Sequence, residues 1–170
     1  MAGVTFTVEL NTLAARERIS DLVDRMENPT PFYKAVGEHL VNSTKSNFDR
    51  EAAPDGTPWQ PLRPSTLQRR IKLGHSSSKI LTVSKRLQAS IIYQVENDGV
   101  RIGSPVEYAG VHQLGAAQGA FGAFMGKDKL GRDHFHHLPW GNIPARPYIG
   151  VSAADEVEIL ELADAWLGEE

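Results

Sequence analysis

The spacing of hydrophobic positions changes several times along the chain, and each change marks an element. Val4, Phe6, Val8 and Leu10 alternate with Thr5, Thr7 and Glu9, a period of two that predicts a strand with one buried face. The period then lengthens. Asn11 stands where an N-cap is wanted, and Ala15, Ile19, Leu22, Val23 and Met26 share one helical stripe until Asn28-Pro29 interrupts it. Thr30 and Pro31 supply a cap and a first-turn proline for a second helix, with Phe32, Val36, Leu40 and Val41 inward as far as about Phe48. Over residues 49–64, Pro54, Pro58, Pro61 and Pro64 exclude a continuous helix or a central strand, and Asp55-Gly56 reads as a turn. Trp59 is expected to plug this loop onto the core rather than to meet a partner. Residues 65–73 form a short helix with Leu67 and Ile71 inward and Gly74 as terminator, followed by a flexible loop at His75-Ser76-Ser77-Ser78.

The second half opens with Ile80-Leu81 and a turn over residues 84–87. Ile91, Tyr93 and Val95 then alternate, Asn97-Asp98-Gly99 makes a turn, and Val100 and Ile102 return, which is a hairpin. Gly103-Ser104-Pro105 ends it and starts a short helix in which Tyr108 and His112 stand one turn apart, with Gly115 placed for a left-handed C-terminal cap. Residues 116–142 fit neither period. Phe121, Phe124 and Met125 make this stretch too apolar for an indifferent linker, so it reads as an arm that orders against another chain. Residues 144–150 form an extended strand, because Pro144 and Pro147 stiffen the chain on either side of Arg146. Ser152-Ala153-Ala154-Asp155 has the form of a capping box. It opens a terminal helix with Val157, Leu160 and Leu167 on one line and Ile159, Leu162, Ala163 and Trp166 beside them, a face broad enough to dock on more than one surface.

These patterns predict a single α+β domain over residues 1–170. It is a small antiparallel sheet with helices packed mainly on one face, an arm at about 116–142 and a C-terminal helix. The chain's 41% hydrophobic and 23% charged residues are ordinary for a globular fold. No apolar run is long enough for a membrane span, and the N-terminus lacks a basic-then-apolar signal. Cysteine is absent, which removes disulfides, thiolate metal ligands and a thiol nucleophile, and fits an intracellular protein.

Charge changes the picture more. The net charge of −3 argues against a dedicated nucleic-acid binder, but it conceals a separation. Between Gly56 and Val95 there is no acidic residue, while Arg63, Arg69, Arg70, Lys72, Lys79, Lys85 and Arg86 lie there. After Arg146 there is no basic residue, while Asp155, Glu156, Glu158, Glu161 and Asp164 follow, with Glu169 and Glu170 at the end. The plain account is two solvated faces of opposite sign. The more specific one sets Arg69, Arg70 and Lys72 of one copy against Glu158 and Glu161 of the next, with Trp166, Phe121 and Phe124 adding apolar area. A head-to-tail contact of that kind closes into a ring. Nucleic-acid binding by the basic block 63–86 would need aromatic stacking, for which Trp59 and Tyr93 are too sparse.

Candidate chemistry is thin. Asp133-His134-Phe135-His136-His137 offers zinc or nickel ligands, and His134 and His136 point the same way from a strand, but no closed motif spacing is present. A solvated or subunit-contacting tip is preferred to a metal site. Gly-x-Ser-x-Gly and phosphate-binding glycine motifs are missing, so no catalytic residue and no cofactor is assigned. Tyr108, His112, Gln113 and a rigidly held Arg146 could suggest a catalytic constellation. The preferred reading makes them, with Trp59, structural anchors whose hydrogen bonds tie one element to the next.

The same residues carry a resemblance. Phe48, the segment Pro54-Asp55-Gly56-Thr57-Pro58-Trp59-Gln60-Pro61-Leu62, Thr66, Ile80-Leu81, Arg86-Leu87 with Ser90-Ile91, and Val100-Arg101-Ile102-Gly103-Ser104 occur in order. Tyr108-Ala109, His112-Gln113-Leu114-Gly115 and Pro144-Ala145-Arg146-Pro147-Tyr148-Ile149-Gly150 complete the set. Over roughly residues 30–165 the chain resembles the phage virion morphogenesis (tail completion) family of Mu-like and P2-like tailed phages. One departure stands out: Ser84-Lys85 occupies the place where that pattern leads to Thr-Gly. The resemblance implies a structural virion protein that completes the tail end and forms the neck interface between head and tail. It implies a homo-oligomeric ring, a hexamer being one candidate. Its partners would be head connector proteins and tail tube or tail terminator proteins, with double-stranded DNA only passing the lumen and no membrane. Its place would be the virion tail or neck, reached from the host cytoplasm. Two alternatives of other classes remain: a metal-dependent hydrolase using His134, His136 and His137, and a DNA-binding accessory protein using the basic block 63–86.

Overall fold

A computed structural model describes residues 12–75, 79–127 and 129–168 of the chain. The strand expected over residues 4–10, its Asn11 neighbour and most of the serine loop at 75–78 therefore lie outside the described residues. The elements run α1 (Leu13–Glu27), α2 (Thr30–Arg50), α3 (Pro64–Lys72), α4 (Arg86–Ala89), β1 (Ile92–Glu96), β2 (Gly99–Gly103), α5 (Ala109–Leu114), β3 (Ala123–Lys127), β4 (Asp133–His137) and α6 (Ala153–Gly168). The fold is α+β. Among the described residues its antiparallel pairing is divided between two separate hairpins, β1–β2 and β3–β4, rather than gathered into one sheet.

Helix α2 is the organising element. Its inward stripe holds Val36, Gly37, Leu40, Val41, Thr44, Asn47 and Phe48, and it packs against both strands of the first hairpin and against α6. Gly37 is required there, because a Cβ would run into the Tyr93 ring. Phe48, Trp59 and Tyr148 form the centre of the core, with Ile80, Leu87, Ile91 and Ala109 around them. The helix ends at Glu51 in the left-handed region (φ 54°), and the Glu51 carboxylate turns back to accept the Ile80 amide.

Two terminations follow directly from the local sequence. At the end of α3, Gly74 takes φ 76°, its amide reaching the Ile71 carbonyl at 3.0 Å and the His75 amide the Arg70 carbonyl at 3.0 Å. This is the two-bond glycine stop that satisfies orphan carbonyls. At the start of α6, the Ser152 amide donates to Asp155 Oδ2 (2.8 Å) while the Asp155 amide donates to Ser152 Oγ (3.1 Å), the reciprocal exchange of a capping box. Asp155 also meets His39 of α2 at 2.8 Å, so the cap doubles as a tie between helices. Burial by itself would raise its pKa. The hydrogen bonds from Ser152, Ser43 and His39 outweigh that and hold the carboxyl below the ordinary value.

Several expectations are corrected. Residues 116–142, where neither period fits, have regular structure of their own. They carry a hairpin in which Phe124 faces His136 and Met125 faces Phe135 across the ladder, rooted by the Ala116–Ile143 bridge. Neither strand buries a face (Phe124, Met125 and Phe135 are all exposed), so no alternation of period two was imposed on the sequence. Residues 144–150 are extended but join no sheet. Ile71, expected inward, is 74% exposed, because α3 rests on the body through Leu67 and the Arg70 side. Gly115 does take a glycine-only conformation, yet at φ 76°, ψ 176° it is not the left-handed cap. What it allows is close approach: a Cβ there would sit 2.8 Å from both Ala145 N and Ile143 O. Lys85, at φ 55°, occupies the left-handed region that glycine adopts most readily.

The first and last helices are only half used. α1 buries none of its residues, and Ile19, Val23 and Met26 of its apolar stripe are all exposed. α6 turns Ile159, Leu162, Ala163 and Trp166 toward the body, and leaves Val157, Leu160 and Leu167 on the outside.

Candidate functional site

The unpaired extended segment raises an accounting question: where do its backbone groups find partners? They find side chains from distant parts of the chain. Gln113 Oε1 accepts from the Tyr148 amide (3.0 Å) and the Ile149 amide (3.1 Å), and Gln113 Nε2 donates to the Ile149 carbonyl (2.9 Å). Asn47 Nδ2 donates to the Tyr148 carbonyl (3.0 Å), and Trp59 Nε1 to the Pro147 carbonyl (2.8 Å). The Arg146 amide donates to the His112 carbonyl (2.8 Å). Its guanidinium donates twice to the Gln60 carbonyl, from Nε at 3.1 Å and from a terminal nitrogen at 2.9 Å. The Tyr148 hydroxyl donates to the Ala109 carbonyl (2.9 Å), and burial raises its pKa, so the phenol keeps its proton. The result is a polar clamp that joins α2, the 59–60 loop and α5 to one strap.

The clamp brings together Trp59, His112, Gln113 and Arg146. Tyr108 sits at its margin, edge-on to His112 with ring centroids 5.7 Å apart. His112 Nδ1 is buried and has no hydrogen-bond partner among the described residues. Burial, and then the positive charge of Arg146, push the His112 pKa down, so the imidazole is neutral at pH 7. Among the described residues no carboxylate is hydrogen-bonded to it, and the other polar groups of the clamp are engaged on backbone, so the arrangement ties elements together.

Beside the clamp lies an open groove of about 360 Å³, bounded by the 60–63 loop, α3 and residues 141–146. Leu62, Leu81, Ile143 and Pro144 give it apolar walls, and Arg63, Arg70 and Arg146 give it charge; among the described residues no carboxylate lines it. Arg146 is pushed below its ordinary pKa first by burial and then by the neighbouring Arg70.

The other residues singled out from sequence are scattered. Arg69 and Lys72 are exposed on α3, whereas Arg70 is half-buried and donates to the Lys79 carbonyl (2.7 Å), so the three do not form one face. Phe121 and Phe124 are exposed on the second hairpin. Glu161 is exposed on α6 and Glu158 half-buried on its flank. Trp166 is engaged within its own chain, stacked on Phe32 of α2 at 5.4 Å, with its carbonyl accepting from Arg25 (2.6 Å). On β4, His134 and His136 share a face with centroids 5.2 Å apart, and His136 also packs on Phe124 and Trp140. His137 points the opposite way, over Gly119, and Asp133 pairs with Lys127 at 2.6 Å. Among the described residues, no group of three or more metal-ligating side chains is placed to hold an ion.

Asn47, Gln60 and His39 were not anticipated. Asn47 carried a usable signal: a polar residue at a core position of a helix, one before Phe48, must find a buried partner. Gln60 contributes only its carbonyl, which leaves no mark in the side-chain sequence.

The phage virion morphogenesis family model matches residues 10–168, a span that includes the whole clamp and groove. The chain is 30% identical over 159 residues to a protein of Escherichia phage Mu provisionally named capsid assembly protein G, covering 91% of this chain and 92% of that one. It is 28% identical over 163 residues to the Mu-like prophage FluMu G protein 1 of Haemophilus influenzae, covering 95% and 94%. No solved structure matches it. Since the match runs nearly from end to end, the chain belongs to the phage virion morphogenesis family, and its role lies in the structure and assembly of a phage particle.

Proposed function

We propose that the protein completes the tail end of a tailed phage and forms the neck surface that joins head to tail, as a ring of identical copies. The observation that carries this reading is the outward apolar surface. α1 buries none of its fifteen residues, and α6 leaves Val157 and Leu160 exposed. A helix of that length is marginal in water unless its apolar face is covered. The second hairpin adds Phe121, Phe124 and Phe135, all exposed. Surface of this kind marks an interaction site. The resemblance of the sequence is to tail completion proteins, while the Mu relative's name speaks of capsid assembly; the junction between head and tail is where both descriptions meet. Head connector and tail tube or terminator proteins are the partners this role requires, with DNA passing the lumen. No catalytic residue is part of the proposal, because the polar side chains of the clamp are taken up by backbone.

Negative-stain electron microscopy and a sizing column test it together. Annular particles whose size exceeds the single chain are expected at low salt. Slower assembly is expected between about 0.1 and 1 M salt, as the screening length falls from roughly 10 to 3 Å, while the apolar contacts keep formed particles together. A chain that stays single at every concentration and salt would refute the ring.

A further inference from the structure

The arginine groove gathers three guanidinium groups. Among the described residues its lining contains Arg63, Arg70 and Arg146 and no carboxylate, and the sequence supplies no acidic residue between Gly56 and Val95. Arg146 lies below its ordinary pKa, first through burial and then through its neighbour Arg70. Yet the groove is not simply basic, since Leu62, Leu81, Ile143 and Pro144 form its walls. A phosphate backbone matches the arginines and leaves those walls uncovered. An amphipathic acidic helix matches both.

The chain carries one such surface. On the outer side of α6, Val157 is 57% and Leu160 66% exposed, and Glu161 and Asp164 are exposed beside them. The sequence after Arg146 carries acidic residues and no basic one. The inner side of the same helix is turned to α2, so the outer face points away from its own body. We propose that the groove receives the outer face of α6 from a second copy of this chain, with Val157 and Leu160 against the apolar walls and Glu161 and Asp164 facing Arg63 and Arg70. This rests on the self-assembly reading above and gives it a specific joint. Groove and helix are different surfaces, so the contact is head-to-tail and propagates until it closes.

The absence of cysteine makes the joint directly testable, because every introduced thiol is unique. Thr66, half-buried on the groove wall, and Leu160 are each replaced by Cys in separate full-length chains. Oxidation of the T66C and L160C mixture is expected to give covalent dimers, since a disulfide forms only when the Cβ atoms come within about 4.5 Å. Either variant alone is expected to give few. In a second arm, Arg63→Glu weakens assembly by about tenfold and Glu161→Arg in the same chain restores it, as complementary charge is rebuilt. Circular dichroism checks that each variant is folded. If particles form but the mixture cross-links no better than the single variants, the joint is wrong and self-assembly stands. If no variant and no parent chain assembles, the self-assembly reading fails and takes the joint with it. If duplex DNA, rather than a second copy, shields the introduced thiol of T66C from a thiol reagent, the groove belongs to nucleic acid and the inference is overturned.

Discussion

Replacing Gln113 by Ala removes one side chain and orphans three backbone groups, which makes it a sharp test of the clamp. Gln113 serves the Tyr148 amide, the Ile149 amide and the Ile149 carbonyl at 2.9–3.1 Å. Leaving a buried polar group unpaired costs about 1–3 kcal/mol, whereas one that water can reach costs little. The Tyr148 side chain is 1% exposed, so its amide lies in a dry setting and bears the full penalty; Ile149 is half-buried and water repairs part of its loss. The sum is roughly 2–4 kcal/mol, a large share of the ~5–15 kcal/mol that holds a domain folded. In urea, with a slope of about 1–3 kcal/mol per molar, the unfolding midpoint is expected to fall by about 1–2 M. Gln113→Asn remains polar but is one methylene shorter, and is expected to recover no more than half of the loss. Leu114→Ala, on the neighbouring side chain that is 80% exposed, controls for the substitution itself and should change little. A Gln113→Ala midpoint within about 0.3 M of the parent would mean that the three groups have other partners, and the clamp would not be what holds the strap.

Two further outcomes are expected. Lys85→Gly should stabilise the protein by about 1 kcal/mol in the same urea assay, since a side chain at φ 55° carries a left-handed penalty of roughly 1–2 kcal/mol that glycine avoids; no gain would mean that the Lys85 side chain contributes as much as its backbone loses. His112 has a folded pKa below its ordinary 6.5, so its contribution to stability is complete above that value and is lost as pH falls toward the folded pKa. The midpoint should therefore drop as the pH falls below about 6.5, and His112→Gln should flatten that slope; an equal slope in the variant would assign the pH dependence to another group.

Much of the fold was legible because it depends on local chemistry. Pro31 in the first turn, the Ser152–Asp155 box, Gly74 after α3 and the alternation of Tyr93 and Val95 each specify their element within a few residues. Trp59 as a loop plug was legible for a similar reason, since a lone indole among prolines needs both burial and an acceptor. The second hairpin was not legible. Its strands, with Gly126 and Lys127 in one and three histidines in the other, have no buried face, so pairing left no period to read. α1 illustrates the converse: its stripe was visible, but periodicity does not say whether the covering surface belongs to the same chain. The clamp was half legible. The stiff presentation of Arg146 followed from its flanking prolines, while its acceptor is a carbonyl 86 residues away, a pairing that no local pattern encodes.

The clamp and the outward surfaces differ in stiffness, and that difference bears on how copies would join. The groove is bounded by the strap that Gln113, Asn47 and Trp59 hold, and Arg146 is fixed there by two bonds to one carbonyl. A binding surface built this way loses little entropy on docking, because its side chains are already ordered. α1 and the second hairpin are the opposite case. They carry Ile19, Met26, Phe121 and Phe135 into solvent, with few ties to the core, and gain most by being covered. On the proposed assembly, the rigid groove would set the angle between neighbouring copies, since a head-to-tail contact closes only if its rotation is fixed. The looser apolar elements would then supply most of the buried area once that angle is set. Exposed ion pairs contribute only about 0.2–1 kcal/mol each, which is too little to hold a ring but enough to select its geometry. On the proposed assembly the charge separation serves orientation, and the apolar residues of α1, α6 and the hairpin supply the affinity.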